Sequence, residues 1–312
     1  MKIHYQKYTF YIKAIEPLYL PYYKGSTFRG GFGNAFRKVA CPLRVINCDK
    51  CLLKQKCIYA YVFETPPPEG STILNMNKYE KIPHPFVIEP PEWRQQYFPE
   101  GQTLSFNLIL IGSAIDYIPY FIYTFEQLGG IGIGKGRGKY ILSEVKIDGI
   151  TVYKIGMLKK SISKIMEIPS KFETTDSVEN LTLKIITPLR IRYQRKFVTE
   201  LDFHILVRNL IRRISLLGYF HCGEQLPDFT VQEVIRHAET INTINSNLRW
   251  HDWERYSSRQ ETKMKLGGVV GEIVYRGNIA PFIPYLKAGE ILHLGKNTSF
   301  GLGKYEIILD EA

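Results

Sequence analysis

His293-Leu294-Gly295-Lys296-Asn297-Thr298-Ser299-Phe300-Gly301-Leu302-Gly303-Lys304-Tyr305 carries three glycines and two lysines ahead of the apolar run Glu306-Ile307-Ile308-Leu309. Glycine accepts positive φ and lets the main chain come close to a ligand, so successive N–H groups can converge on an anion such as phosphate. A Gly-rich turn before a strand serves equally as a plain connector. A second copy changes the balance: Leu128-Gly129-Gly130-Ile131-Gly132-Ile133-Gly134-Lys135-Gly136-Arg137-Gly138-Lys139-Tyr140. Gly130 and Gly295, Gly136 and Gly301, Gly138 and Gly303, and Tyr140 and Tyr305 all keep one offset, so the chain reads as internally duplicated. Each copy follows a stretch with helical apolar spacing (Ile115, Ile118, Ile122 and Phe125; Phe282, Leu286 and Leu292), and each precedes a short strand-like run. The repeated unit therefore ends helix, Gly-rich basic loop, strand.

Working outward, 312 residues hold two domains of ordinary size. Lys and Arg number 41 against 30 Asp and Glu, and 13% of residues are aromatic, a balance that favours a polyanionic partner, nucleic acid before membrane. The first residues lack the apolar core of a signal peptide, and no run reaches the roughly 18 apolar residues of a membrane span, so a soluble cytoplasmic protein is expected.

Residues 5–15 alternate as a strand. In the next stretch Phe28, Phe32 and Phe36 fall at i, i+4 and i+8, a helical stripe. Gly30, Gly31 and Gly33 weaken that helix by roughly 1 kcal/mol each, which points either to a close ligand or to tight packing. Strands follow at 86–89 and 103–111, a helix at 116–128 and a strand after Gly138, the order βαββαβ of a ferredoxin-like domain. The second half repeats it: a strand at 181–187, a helix at 201–217 with Phe203, Leu206, Val207, Leu210, Ile211, Ile214 and Leu217 on one stripe, a strand at 248–257, a hairpin completed by 263–275, a helix at 284–292 and a last strand at 304–309. The fold class is α+β, two tandem ferredoxin-like domains. The first is expected at residues 1–150 with a cysteine-containing insertion at 41–57, the second at 179–312, with the boundary in the polar segment between them.

Cys41, Cys48, Cys51 and Cys57 crowd into that insertion, apart from Cys222. Their central C-x2-C can turn two thiolates onto one ion, and four sulfurs make a closed tetrahedral set, so structural zinc is the leading reading. An iron–sulfur cluster, disulfides and unligated thiols stay open.

Positive charge gathers at Arg190, Arg192, Arg195 and Lys196 and along the next helix at Arg208, Arg212 and Arg213. In the strand at 248–257, alternation puts Arg249, His251, Trp253 and Arg255 on one face, a surface suited to single-stranded RNA because arginines meet phosphates while an aromatic offers a stacking plane. His251 and Asp252, as neighbours on a strand, point to opposite faces and make a poor metal-nuclease pair.

Arg255-Tyr256-Ser257-Ser258-Arg259-Gln260, Gly267-Gly268-Val269-Val270-Gly271-Glu272 and the stretch from His293 to Gly303 resemble the CRISPR-associated precursor-RNA-processing endoribonucleases of the RAMP superfamily. The resemblance extends through Phe28-Arg29-Gly30-Gly31-Phe32-Gly33 and the cysteine segment before Phe63-Glu64. It implies tandem ferredoxin-like (RRM/RAMP-type) domains and cleavage of CRISPR repeat RNA into guide RNAs by metal-independent attack of the 2′-OH on the adjacent phosphate, leaving a cyclic phosphate, with no cofactor for the chemistry. CRISPR repeat RNA is the implied partner, with proteins of a CRISPR effector complex. In such enzymes a histidine in or near the first helix is the usual base, yet no histidine lies between His4 and His84. The catalytic candidates are therefore Tyr23, with Lys24, and Arg29 at the strand-to-helix junction, and His251. Lys135, Arg137, Arg192, Arg249, Arg255, Lys296 and Lys304 are the candidate RNA-binding residues. A repeat-RNA-binding protein without cleavage is the alternative.

Overall fold

The structure, a computed structural model, describes residues 1–43, 48–68, 82–91, 94–159, 162–169, 179–252, 254–257 and 262–309. The chain forms two compact units, His4–Lys164 and Ile165–Ala312, the latter including Met1–Ile3.

In the first unit, β1 (Lys2–Ala14) leads to α1 (Gly25–Ala40), then β2 (Phe86–Glu89), β3 (Thr103–Ile111), α2 (Ile118–Ile131) and β4 (Tyr140–Ile147). The sheet order is β2-β3-β1-β4 with antiparallel neighbours, the ferredoxin-like arrangement. Past residue 150 the sheet continues through β5 (Ile150–Lys154) and β6 (Met157–Leu158). The stripe of α1 does what its spacing predicts. Phe32 stacks at 5.0 Å on Phe36 and on Phe121 of α2, and at 5.2 Å on Phe125, while Phe28 lies 4.8 Å from Phe106 of β3. Such aromatic pairs add about 0.5–1.5 kcal/mol each beyond the area they bury. Pro119 in the first turn of α2 fits where no intrahelical N–H is needed, and Gly132 ends that helix at φ +84°.

The three helix glycines divide by cause. A Cβ on Gly33 would sit 2.2 Å from the Phe63 ring and one on Gly31 would press Leu128 at 3.1 Å, whereas Gly30 faces open space.

The second unit repeats the order: β7 (Asn180–Leu189), α3 (Phe203–Cys222), α4 (Val231–Glu239), β8 (Asn242–His251), β9 (Gly268–Arg276), α5 (Ile283–Leu292) and β10 (Tyr305–Leu309), in sheet order β8-β9-β7-β10. All seven stripe residues of α3 are buried. Helix α4 is an element the sequence reading omitted, although Val231, Val234, Ile235 and Ala238 carry the i, i+3, i+4, i+7 spacing.

Two expectations need correcting. The strand placed at 248–257 is two strands: β8 begins earlier and ends at His251, and Glu254–Ser257 pairs instead with Thr262–Lys265 in a separate two-stranded sheet. Alternation is uninformative here because β8 is an edge strand, exposed along nearly its whole length. Arg213 also does not belong with the surface charges. It is buried, and its guanidinium donates to the carbonyls of Leu292 (2.7 Å from Nη2) and His293 (2.8 Å from Nε), closing the C-terminus of α5.

Candidate nucleic-acid interface

Both Gly-rich loops leave a helix and enter the fourth strand of their βαββαβ repeat, and in both most of the glycines answer to the chain's own backbone. In the first loop a Cβ on Gly132 would lie 2.0 Å from the Arg137 carbonyl, one on Gly134 2.3 Å from that of Tyr19, and one on Gly138 2.3 Å from that of Pro17. In the second, a Cβ on Gly303 would lie 1.7 Å from the Leu294 carbonyl and one on Gly295 2.6 Å from that of Arg190. These are rigid, backbone-packed loops. Their outward side chains are basic: Lys135, Arg137, Lys139 and Lys296 are exposed, and Lys304 is half-buried, its N–H donating to Thr187 Oγ1. Gly136, at φ +82°, has no neighbour within 4 Å, so of the glycines in the first loop it leaves the most room for a ligand.

Beside the first loop a cleft of about 790 Å³ opens against α1. It is lined by Asn34, Arg37 and Lys38 from the helix, Leu128 and Ile131 from α2, and Arg137 from the loop. Three cations thus converge on a concave surface with an apolar floor. Asn34, Arg37 and Lys38 are site residues that sequence reasoning missed; the signal was present, since they occupy the face of α1 opposite Phe28, Phe32 and Phe36.

The strand-to-helix junction lies differently. Tyr23 is buried, which pushes its phenol well up and disfavours the phenolate. Lys24 is fully buried at the N-cap of α1, its ammonium donating to the Tyr22 carbonyl (3.3 Å), and burial lowers its pKa to about 8. The Arg29 guanidinium lies 4.0 Å over the Phe63 ring and 3.3 Å from His84 Nε2. The other nitrogen of His84 lies 3.3 Å from Thr65 Oγ1, which itself donates to the Ile82 carbonyl. Since that hydroxyl proton is engaged, His84 donates from Nδ1 and accepts from Arg29 at Nε2, a neutral imidazole. Arg29 is thereby part of a packed network under α1.

The second unit carries the remaining predicted RNA-binding residues on several elements. Arg192 is exposed on the hairpin formed by Arg192–Tyr193 and Lys196–Phe197, its Nε donating to the Arg195 carbonyl at 2.8 Å. Arg249 is exposed on β8, and His251 is half-buried at the strand's end, opposite Gly268. Lys296 ties its loop to this region, since its N–H donates to the Arg190 carbonyl at 2.8 Å. The backbone of Arg255 pairs with Met264, but its side chain, like Trp253, lies outside the described residues.

The four clustered cysteines are free thiols, and among the described residues no group of three or more His, Cys, Asp or Glu is placed to hold a metal ion, so the zinc reading is not supported. Cys41 ends α1 with its N–H on the Arg37 carbonyl, while Cys48 and Cys51 share one turn. Burial first, then Glu64, pushes the Cys48 thiol up. Also among the described residues, no helix is long and apolar enough to cross a membrane.

Comparison with known proteins gives the following. A family model named AF_1859_N, described as an N-terminal domain, matches residues 3–164, and the model for CRISPR-associated endoribonuclease Cas6 matches residues 183–305. An uncharacterized protein of Archaeoglobus fulgidus is 24% identical over 302 residues, 93% of either chain. A Cas6 product complex superposes with TM-score 0.58 at 15% identity, covering 97% of this chain and all of the other. A chain of a partial Cas6-RT-Cas1--Cas2 complex gives TM-score 0.56 at 13% identity, covering 99% of this chain and 46% of that one. At such identities the structural likenesses establish the shared fold. The AF_1859_N model thus covers the first ferredoxin-like unit, and over its second unit the chain is similar to the CRISPR-associated endoribonuclease Cas6.

Proposed function

We propose that the protein cuts CRISPR repeat RNA to release guide RNAs, through attack of a 2′-OH on the adjacent phosphate with no metal ion in the chemical step. The observation that carries this reading beyond the similarity to Cas6 is the cleft of about 790 Å³ in the first unit, lined by Arg37, Lys38 and Arg137. The reaction concentrates negative charge on the phosphate oxygens as the 2′-oxygen adds and the 5′-oxygen departs. Cations lining the cleft would stabilise that charge. Exposed Lys38 and Arg137 line this cleft together with Arg37, whose guanidinium also lies 5.7 Å from the Tyr59 ring, whereas Tyr23 and Arg29 do not line it. The cleft holds no group that assigns the proton transfers, and His251, in the second unit, is a separate candidate for them. Association with other CRISPR proteins is proposed on the ground of the similarity to Cas6.

A second reading, repeat-RNA binding without cleavage, is favoured by one observation: the cleft's lining contains no histidine. The two separate when the repeat RNA of the protein's own genome, end-labelled, is incubated with the protein in excess EDTA and the ends are mapped. The expected result is a single cut with a cyclic phosphate. Tight binding of intact RNA would establish the binding reading instead. Neither binding nor cleavage would overturn both.

A further inference from the structure

Around Arg190 the second unit carries an aromatic surface that no step above uses. The Arg190 guanidinium lies 4.0 Å over the Phe197 ring, and Phe197 lies 6.3 Å from Trp250 on β8 at an interplanar angle of 49°. Both rings remain open, Phe197 at 40% and Trp250 at 38% exposure. Neither is loose. The indole N–H of Trp250 donates to Asp252 Oδ1 at 2.9 Å, and the pair closes over Gly267, where a Cβ would lie 2.0 Å from Oδ1 and 2.6 Å from the indole nitrogen. Phe197 is set by a hairpin whose central residues, Gln194 and Arg195, both have positive φ (+46° and +68°). That is the type I′ turn, ordinarily an Asn-Gly position, so two long side chains are held there at a cost. Exposed Arg192 pairs across the hairpin with Phe197, and exposed Arg195 and Lys196 belong to the same hairpin. Two fixed, half-open aromatic rings on a basic hairpin match an unpaired nucleotide: the base takes an aromatic face and the phosphates take the cations.

We infer that Phe197 and Trp250 form a stacking platform for one unpaired nucleobase of the RNA substrate, with Arg192, Arg195 and Lys196 meeting its flanking phosphates. This rests on the RNA reading and names the substrate feature, a single-stranded position, that the second unit selects.

The test uses the full-length protein and its own repeat RNA with 2-aminopurine at each unpaired position in turn. One position is expected to be quenched on binding, and Phe197→Ala and Trp250→Ala to relieve that quenching. Each variant should weaken binding about tenfold without altering its salt dependence, as loss of one base stack requires, while Phe197→Tyr keeps wild-type affinity. An abasic nucleotide at the quenched position should cost the wild type the same factor and cost Phe197→Ala nothing more. Quenching at no position, or an abasic penalty undiminished in both alanine variants, would overturn the platform. Wild-type protein that fails to bind the repeat RNA overturns the RNA reading and the platform with it. Wild-type protein that binds and cuts, while both variants match it in affinity, overturns the platform alone.

Discussion

Gly303 and Gly136 show how differently two glycines of like sequence context behave. Gly303 has φ +72° and its absent Cβ would overlap the Leu294 carbonyl; Gly136 has φ +82° and open space. A Gly303→Ala change meets both the left-handed strain of about 1–2 kcal/mol and an unavoidable backbone clash. We expect it to cost more than about 3 kcal/mol in denaturant unfolding, and Gly136→Ala only about 1 kcal/mol, the strain alone. Equal costs would show that the second loop is not held by its own carbonyls. Lys24 makes a second prediction, on pH. Burial has lowered its pKa from 10.5 to about 8, so between those values the unfolded chain holds a proton that the folded chain lacks. Stability therefore rises as pH increases through that window, by an amount on the order of 2 kcal/mol, and the full penalty of burying the charge is felt below pH 8. The buried phenols of Tyr23 and Tyr140 act oppositely once exposed tyrosines ionise, so the rise is best read from urea midpoints between about pH 7.5 and 9.5. Lys24→Met should abolish the rise and be the more stable protein at pH 7; an unchanged pH profile would sink the assignment.

Among the elements, the hairpin joining Arg192–Tyr193 to Lys196–Phe197 sets local stability against binding. Arg195 sits at φ +68°, which glycine adopts freely. Arg195→Gly should stabilise the fold by about 1 kcal/mol and at the same time weaken RNA binding, read as a higher thermal midpoint with a larger dissociation constant. A stabilised variant that binds RNA as before would show the turn to be strained for some other reason. This hairpin also marks where the sequence stopped being legible. The two βαββαβ orders could be read because each depends on local signals: the Phe28, Phe32, Phe36 stripe, the seven-residue stripe of α3, and the matched Gly loops ahead of the closing strands. The aromatic platform could not, since it joins residues far apart in the chain, and the alternation that assigned faces to Arg249 and Trp250 presumes a strand with one buried side. Along β8 nearly every residue is exposed, so alternation does not tell which face carries the site. Arg213 failed in the other direction, counted with the surface charge when its guanidinium closes α5 from within. Charge in a helix sequence reveals exposure only when the rest of that helix's surface is covered by something else.

At the scale of the whole molecule, a formal charge of +11 is a long-range attraction for any polyanion, and the question is whether RNA binding uses that diffuse field or particular side chains. The two predict different salt dependences. A contact that neutralises a phosphate releases a counterion and adds about one to the slope of log affinity against log salt, whereas removing a distant charge weakens the field and leaves the slope nearly unchanged. Arg137, at the cleft beside α1, and Lys296, on the second Gly loop, are exposed and stand for the two units; Lys154, exposed at the end of β5, is a control of the same charge that belongs to neither loop. Arg137→Ala and Lys296→Ala are each expected to lower the slope by about one and to weaken binding several-fold at moderate salt, measured by titration of the repeat RNA across a salt series. Lys154→Ala should do neither. If one RNA engages both loops, the double variant loses the sum, about two, because each phosphate contact contributes its own counterion. A double variant no worse than the weaker single variant would mean that RNA bound at one loop leaves the other untouched, and three variants alike in slope and affinity would return the binding to the field of the whole chain.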